Sequence, residues 1–163
     1  MPSKIMTVDE QIRMLQKLGN PELIQKFAIG LALLCCAMLA LAYYKHEFFF
    51  IMLALMFALV GFASRQTVRN AIWAAKAWRT GYSTAGEVII TVKTDDEGAI
   101  YSGVVRDAQH KAWQMQFGKP PGWEPQAGKL AAKLFYVQQA QWPVLIVTAT
   151  GILVPRTTPK LTI

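Results

Sequence analysis

FAIGLALLCCAMLALAYY (Phe27–Tyr44) is followed, after only Lys45-His46-Glu47, by FFFIMLALMFALVGFAS (Phe48–Ser64). Neither stretch contains an Asp, Glu, Lys, Arg or His. A helix needs about 20 mainly apolar residues to cross a bilayer core. Because so short a loop cannot return the chain across a membrane, the two stretches predict a tight antiparallel pair of transmembrane helices. We therefore expect an α+β membrane protein in which residues 21–64 form a transmembrane helical hairpin.

Positive charge flanks this hairpin on one side. The chain has a net charge of +7, and residues 65–79 contain four basic residues and no acid. Cytoplasmic flanks of membrane helices are enriched in Lys and Arg. Both termini are thus predicted to be cytoplasmic, in a bacterial-type inner membrane or an equivalent membrane. Ala40-Leu41-Ala42 resembles a signal-peptide cleavage site, but the second apolar stretch favours a hairpin over a cleaved signal.

Residues 1–20 predict a short amphipathic helix before the hairpin. Thr7 and Glu10 have the spacing of a capping box, and apolar residues recur at helical intervals over residues 8–18. Asn20 and Pro21 then predict the start of the next helix. The amphipathic helix has two interpretations. It lies on the membrane or a partner, or it packs against the soluble domain of its own chain.

Small residues recur every four positions on each apolar helix. On the first helix they are Ala28, Ala32, Cys36 and Ala40, and on the second they are Ala54, Ala58 and Gly61. Small residues let helices approach closely within a membrane. We expect these two faces to seal the hairpin against itself, leaving the larger side chains for lipid or a partner subunit.

Residues 65–82 predict a basic juxtamembrane helix that continues the second apolar helix. At about 100° per residue its basic side chains form one stripe, which consists of Arg65, Arg69, Lys76 and Arg79. The stripe has three interpretations: charge that determines topology, a surface for anionic lipid headgroups or a partner protein, and a nucleic-acid contact. The lack of clustered basic and aromatic residues in the segment that follows makes nucleic acid the weakest of these.

Residues 83–163 predict a small all-β domain. Short alternating stretches are separated by turn residues, among them Asp95-Asp96-Glu97, which we interpret as a solvated turn. The candidate strands are Glu87–Lys93, Ala99–Arg106, Ala112–Phe117, Lys129–Val137, Trp142–Ala149 and Ile152–Arg156. So many short strands favour a closed cytoplasmic barrel of the OB or SH3 type, since closure removes exposed edges.

Trp123 is a further candidate for partner binding. It lies in the rigid loop Lys119–Pro125, which could hold an aromatic side chain outward for recognition. Alternatively, Trp123 folds back as a lid on the end of the barrel.

The chain shows no pattern typical of an enzyme. It contains no phosphate-binding loop, Cys-x-x-Cys or nucleophile elbow, so we assign no catalytic, cofactor-binding or metal-binding residue. The order of a membrane hairpin followed by a small β-barrel resembles that of NfeD-type membrane proteins. This resemblance lies in segment order and carries no site residue to this chain. We expect a non-enzymatic accessory or assembly protein whose β-domain binds a partner protein or membrane complex. The alternative is a membrane-tethered module that binds a ligand or nucleic acid.

Overall fold

The computed structural model describes residues 6–95, 98–120 and 122–162. Two long apolar helices precede a curled, antiparallel seven-stranded sheet that forms a half-barrel. The helices are α1 (Val8–Leu18), α2 (Pro21–Lys45) and α3 (Phe48–Thr80). The strands are β1 (Tyr82–Asp95), β2 (Gly98–Asp107), β3 (Ala112–Phe117), β4 (Gly128–Tyr136), β5 (Leu145–Thr148), β6 (Ile152–Leu153) and β7 (Lys160–Thr162). The predicted turn residues Asp96 and Glu97 lie outside the described residues.

The helix boundaries follow local capping groups. At the start of α1 the Glu10 backbone N–H donates to the Thr7 hydroxyl over 3.3 Å, and the Thr7 N–H donates to the Glu10 carboxylate over 2.9 Å. The Asn20 side chain accepts from the Glu22 N–H over 3.1 Å at the start of α2. These contacts satisfy backbone donors that have no partner within the helix. The predicted capping box and the predicted restart at Asn20 are both confirmed.

The contact between α2 and α3 corrects the predicted hairpin interface. The small residues of α2, Ala28, Ala32, Cys36 and Ala40, are all exposed, so the prediction that they seal the hairpin is wrong. Ala54 of α3 is buried, and a Cβ added at Gly61 would lie 3.1 Å from Leu31. Leu31 of α2 thus fills the space beside Gly61, whereas Ala42 of α2 is buried and the Cys35 thiol lies 3.8 Å from the Ala54 carbonyl oxygen. Ala58, also predicted to lie in the contact, is exposed.

The second half of α3 packs against the sheet and against α1. Ala74 and Ala77 are fully buried in a core that α1 completes with Ile12 and Leu15. A Cβ added at Gly19 would come within 2.6 Å of Ala75, so the turn after α1 lies directly on α3. Of the two interpretations of α1, the structure therefore shows packing against its own chain.

The sheet has the strand order β6-β5-β4-β1-β2-β3-β7. It curls far enough that the segment after β6 reaches β3. The Gly118 N–H donates to the Val154 carbonyl over 3.2 Å, and the Arg156 N–H donates to the Gln116 carbonyl over 2.7 Å. A second apolar core fills the inside of the curl, with Val88, Tyr101, Trp113, Leu134 and Ile146 among its buried side chains.

The observed strands differ from the predicted ones mainly at their ends. β1 starts at Tyr82 rather than Glu87, because residues 82–90 pair with β4. β5 starts at Leu145 rather than Trp142, and the intervening Pro143 has no backbone N–H to donate to a neighbouring strand. The short strand β7 was not predicted.

Candidate functional site at the end of the sheet

All four residues of the predicted basic stripe lie exposed along α3. Arg69 is held along the helix surface, because its guanidinium donates to the Gln66 side chain over 2.6 Å and lies 5.0 Å from the centre of the Trp73 ring. Within the described residues, none of the four forms an ion pair. The stripe is thus available to an external acidic group, and its role in binding remains a prediction.

The opposite face of α3 explains why the stripe points outward. Asn70 is buried, and its side-chain amide donates to the Pro155 carbonyl over 2.7 Å. Gln66 donates to the Asn70 side chain over 3.1 Å and to the Thr158 hydroxyl over 3.3 Å. These bonds attach the first turns beyond the apolar half of α3 to the segment after β6. The sheet is therefore held against α3 by direct contacts.

Trp123 lies half-buried against the sheet. Its indole N–H donates to the Ile152 carbonyl over 3.3 Å, and its ring covers Gly151 so closely that a Cβ there would lie 2.2 Å from the indole nitrogen. This position corresponds to the interpretation in which Trp123 folds back on the barrel.

A pair of tyrosines marks a site that the sequence did not single out. Tyr82, the first residue of β1, is paired with Tyr136, the last residue of β4. Their rings are stacked, with centroids 5.1 Å apart and planes 6° from parallel. Tyr82 is 58% exposed, whereas Tyr136 is 5% exposed and also packs edge-on against Trp113. The chain is close-packed at this point, since a Cβ at Gly81 would lie 2.3 Å from the Tyr136 carbonyl oxygen.

Two adjoining cavities share these tyrosines. One, of about 210 Å³, lies between the start of β1 and the β2–β3 turn, and Thr84, Lys111 and Trp113 contribute to its lining. The other, of about 380 Å³, lies beside the end of α3, with Lys76 and Thr80 in its lining. We refer to the two cavities together as the tyrosine groove. Mouths of β-barrels are common positions for binding sites.

The Thr84 and Tyr136 side chains line the groove, but their hydroxyl oxygens are buried. Neither oxygen has a hydrogen bond of good geometry among the described residues, yet the two hydroxyls lie close enough to interact with each other. Burial raises the pKa of the Tyr136 hydroxyl to about 12, and the nearby Thr84 hydroxyl opposes that rise. Because both oxygens are buried, a ligand in the groove does not reach these hydroxyls.

The charges near the groove differ from those on the outer face of the sheet. On that face Lys129 lies 2.6 Å and Arg106 lies 3.7 Å from the Glu87 carboxylate. The hydrogen bond from Lys129 is the main reason that the pKa of Glu87 is lowered. Lys76 and Lys111, by contrast, form no ion pair within the described residues. The Asp107 carboxylate accepts from the backbone N–H groups of Gln109 and Lys111, which shapes the β2–β3 turn.

The residues of the groove are brought together by strand pairing. Tyr82 and Thr84 come from β1, Tyr136 from β4 and Lys111 from the β2–β3 turn. The alternation of Tyr82 and Thr84 directly after Gly81 is the one sequence signal that could have pointed to an earlier start of β1. In the part of the chain that the structure describes, no three His, Cys, Asp or Glu residues come together as possible metal ligands.

Comparison with known proteins does not assign this chain to a family. No protein-family model, no curated protein and no solved structure matches this chain. The resemblance to NfeD-type membrane proteins therefore rests on segment order alone.

Proposed function

We propose that this chain is an integral membrane protein that holds its β-domain at the cytoplasmic membrane surface as a binding module for a partner protein or a larger membrane complex. The proposal includes no catalytic step, cofactor or metal. The observation that carries it is the continuity of α3, which runs from an exposed apolar half directly into the core beneath the sheet.

The exposed apolar surface supports the membrane assignment. Both α2 and α3 are long and apolar enough to span a bilayer, and only 6% of the most apolar 18-residue segment of each helix is buried. Large side chains such as Phe27, Leu33 and Phe62 are mostly exposed. Soluble monomers rarely expose apolar patches larger than a few hundred Å². A lipid environment would solvate this surface.

The contacts of α3 support a role in positioning. The bond from Asn70 to Pro155 and the burial of Ala74 and Ala77 leave no flexible linker between the apolar half of α3 and the sheet. Exposed basic side chains follow immediately after the apolar stretch, and each Lys or Arg near an anionic membrane contributes about 1 kcal/mol of attraction. A partner would therefore meet the β-domain at a defined height above the membrane.

A test of orientation uses reporter fusions. A reporter placed after the C-terminal residue of the full-length chain should be active in the cytoplasm, and one inserted between Lys45 and Glu47 should be active only on the opposite side. Extraction with alkaline carbonate should leave the unfused protein in the membrane fraction. Release of the protein by carbonate, or a C-terminal reporter active only outside the cytoplasm, would contradict the proposal.

A second test identifies what the domain binds. After extraction in mild detergent, the full-length protein should retain a polypeptide at constant stoichiometry through successive columns. The alternative function, a membrane-tethered module for a ligand or nucleic acid, predicts a bound small molecule, RNA or DNA in place of that polypeptide. The tyrosine groove is the observation that favours the small-ligand form of this alternative.

A further inference from the structure

β1 has an unpaired edge at the tyrosine groove. Its pairing with β4 begins at Tyr82, whereas its pairing with β2 begins only at Gly86, opposite Asp107. No described strand pairs with residues 82–85 on the side away from β4. An unpaired strand edge presents backbone N–H and C=O groups that can pair with another chain.

The sequence of this edge does not block such pairing. Natural proteins protect sheet edges with proline, with charged side chains or with a covering segment. Residues 82–85 are Tyr-Ser-Thr-Ala, with neither proline nor charge. Tyr82, Ser83 and Ala85 are exposed. At about 3.3 Å per residue this edge is long enough to pair with four residues of an extended peptide.

The groove offers positive charge beside this edge. Lys76 and Lys111 line the two cavities on either side of the tyrosine pair, and Arg79 lies one turn beyond Lys76 on α3. Among the described lining residues Asp107 is the single acid.

We propose that the tyrosine groove binds an extended acidic peptide of a partner protein, which pairs with the free edge of β1 at residues 82–85 and brings carboxylates toward the lysines that line the groove, Lys111 and Lys76. Main-chain hydrogen bonds supply affinity in this mode of recognition, and alternate side chains supply specificity. The assignment rests on the proposed function, because it names the surface and the kind of partner through which the β-domain binds.

The test uses the full-length protein in phosphatidylcholine nanodiscs and a labelled, end-blocked peptide of alternating valine and glutamate. Two further peptides carry N-methyl groups, one on the glutamates and the other on the valines. In an added strand only alternate N–H groups face the neighbouring strand. One methylated peptide should therefore lose at least about tenfold in affinity, while the other binds like the parent.

Charge is tested with a matched pair of variants. Lys76→Gln combined with Lys111→Gln should weaken peptide binding about fivefold, and more at low salt, because exposed ion pairs are modest and screened. Lys119→Gln combined with Lys160→Gln removes the same charge from exposed positions outside the groove and should leave binding within about twofold. A peptide in which lysine replaces glutamate should not compete.

Several results would overturn the proposal. They are equal binding of both methylated peptides, equal binding of the lysine peptide, or no binding of the parent peptide up to about 1 mM. If the Lys76 and Lys111 variant instead loses phosphatidylglycerol from mixed nanodiscs while peptide binding is unchanged, these lysines contact lipid and the peptide assignment is wrong. If the protein inserts and keeps its stoichiometric partner despite the double substitution, the proposed function stands and the groove assignment fails.

Discussion

The two halves of α3, residues 48–64 and residues 65–80, carry different side chains on their outward faces. In the first half the inward face carries small residues such as Ala54 and Gly61, and the outward face carries exposed Leu, Met and Phe. In the second half the inward face again carries small residues, Ala74 and Ala77, but the outward face carries basic side chains. Small residues mark the contacts in both halves because they allow close packing. What changes along the helix is the outward face, and this change indicates two different surroundings.

The largest effect is expected where a charge enters the inward face of the second half. Ala77 is 0% exposed, so Ala77→Glu places a carboxylate without a partner in the core beneath the sheet. The free energy of unfolding should fall by more than about 4 kcal/mol. Denaturant titration in detergent, followed by tryptophan fluorescence, measures this loss. Thr67→Glu, at an exposed position of the same half, is the control, and equal midpoints for both variants would show that Ala77 is not buried.

A charge placed on the outward face of the apolar half of α3 should show whether this face contacts lipid or water. Leu59 in α3 is 59% exposed, and Leu161 in β7 is 61% exposed. In a membrane, Leu59→Asp should disfavour insertion by about 2.5–3.5 kcal/mol. Leu161→Asp should change stability by less than about 0.5 kcal/mol, because it replaces a leucine that faces water. The fraction of protein resistant to carbonate extraction measures the first effect, and similar tolerance at both positions would contradict a lipid-facing Leu59.

A buried polar contact of α1 tests whether this helix docks on the sheet and on the second half of α3. Gln11 is fully buried; its carbonyl accepts from the Ile152 N–H over 3.0 Å and its amide donates to the Met6 carbonyl over 3.0 Å. Gln11→Ala leaves both backbone groups without these partners and should cost about 1–3 kcal/mol in the free energy of unfolding. Gln16→Ala on the same helix is the matched control. Identical denaturation midpoints for the two variants would mean that α1 is not docked as described.

The smallest expected effect concerns alkaline pH. The pKa of Tyr136 is raised from 10.0 to about 12 in the folded protein. Between these values the unfolded chain releases the proton more readily than the folded chain does, so the stability that Tyr136 contributes is present below pH 10 and is lost as pH rises to about 12. Because phenylalanine does not titrate, Tyr136→Phe should reduce this loss by an amount on the order of 1 kcal/mol. Denaturation curves of both proteins at pH 7 and at about pH 12 measure the difference. Parallel pH profiles of the two proteins would contradict the prediction.

Much of the helical part could be predicted because its signals are local. Capping at Thr7 and Asn20 depends on groups within a few residues of each helix start. The uniform apolar character of Phe27–Tyr44 also needs no knowledge of neighbours. Predicting which face of α2 contacts α3, however, does require knowledge of the neighbouring helix. Small residues recur on α2 at helical intervals, but that face is exposed, and Leu31 lies against Gly61 instead.

The sheet could be predicted in outline and not in its edges. The β3 bounds matched the alternation of Trp113, Met115 and Phe117, which are all buried. The early start of β1 at Tyr82 was missed, because that pairing depends on β4, which lies far along the chain. For the same reason the sequence pointed to the basic stripe on α3 and did not single out Tyr82, Thr84 or Tyr136.

By itself the sequence determined two long apolar helices joined by a short loop, the caps that begin α1 and α2, and a β-rich region over residues 83–163. Each of these depends on residues that are neighbours in the chain, through backbone hydrogen bonds and side-chain periodicity. Only the tertiary structure decided that α1 docks on α3 and the sheet, that Leu31 rather than a small residue faces Gly61, and that the tyrosine groove opens beside a free edge of β1. These features depend on the register between distant segments, and that register is set by packing that the order of residues along one segment does not reveal.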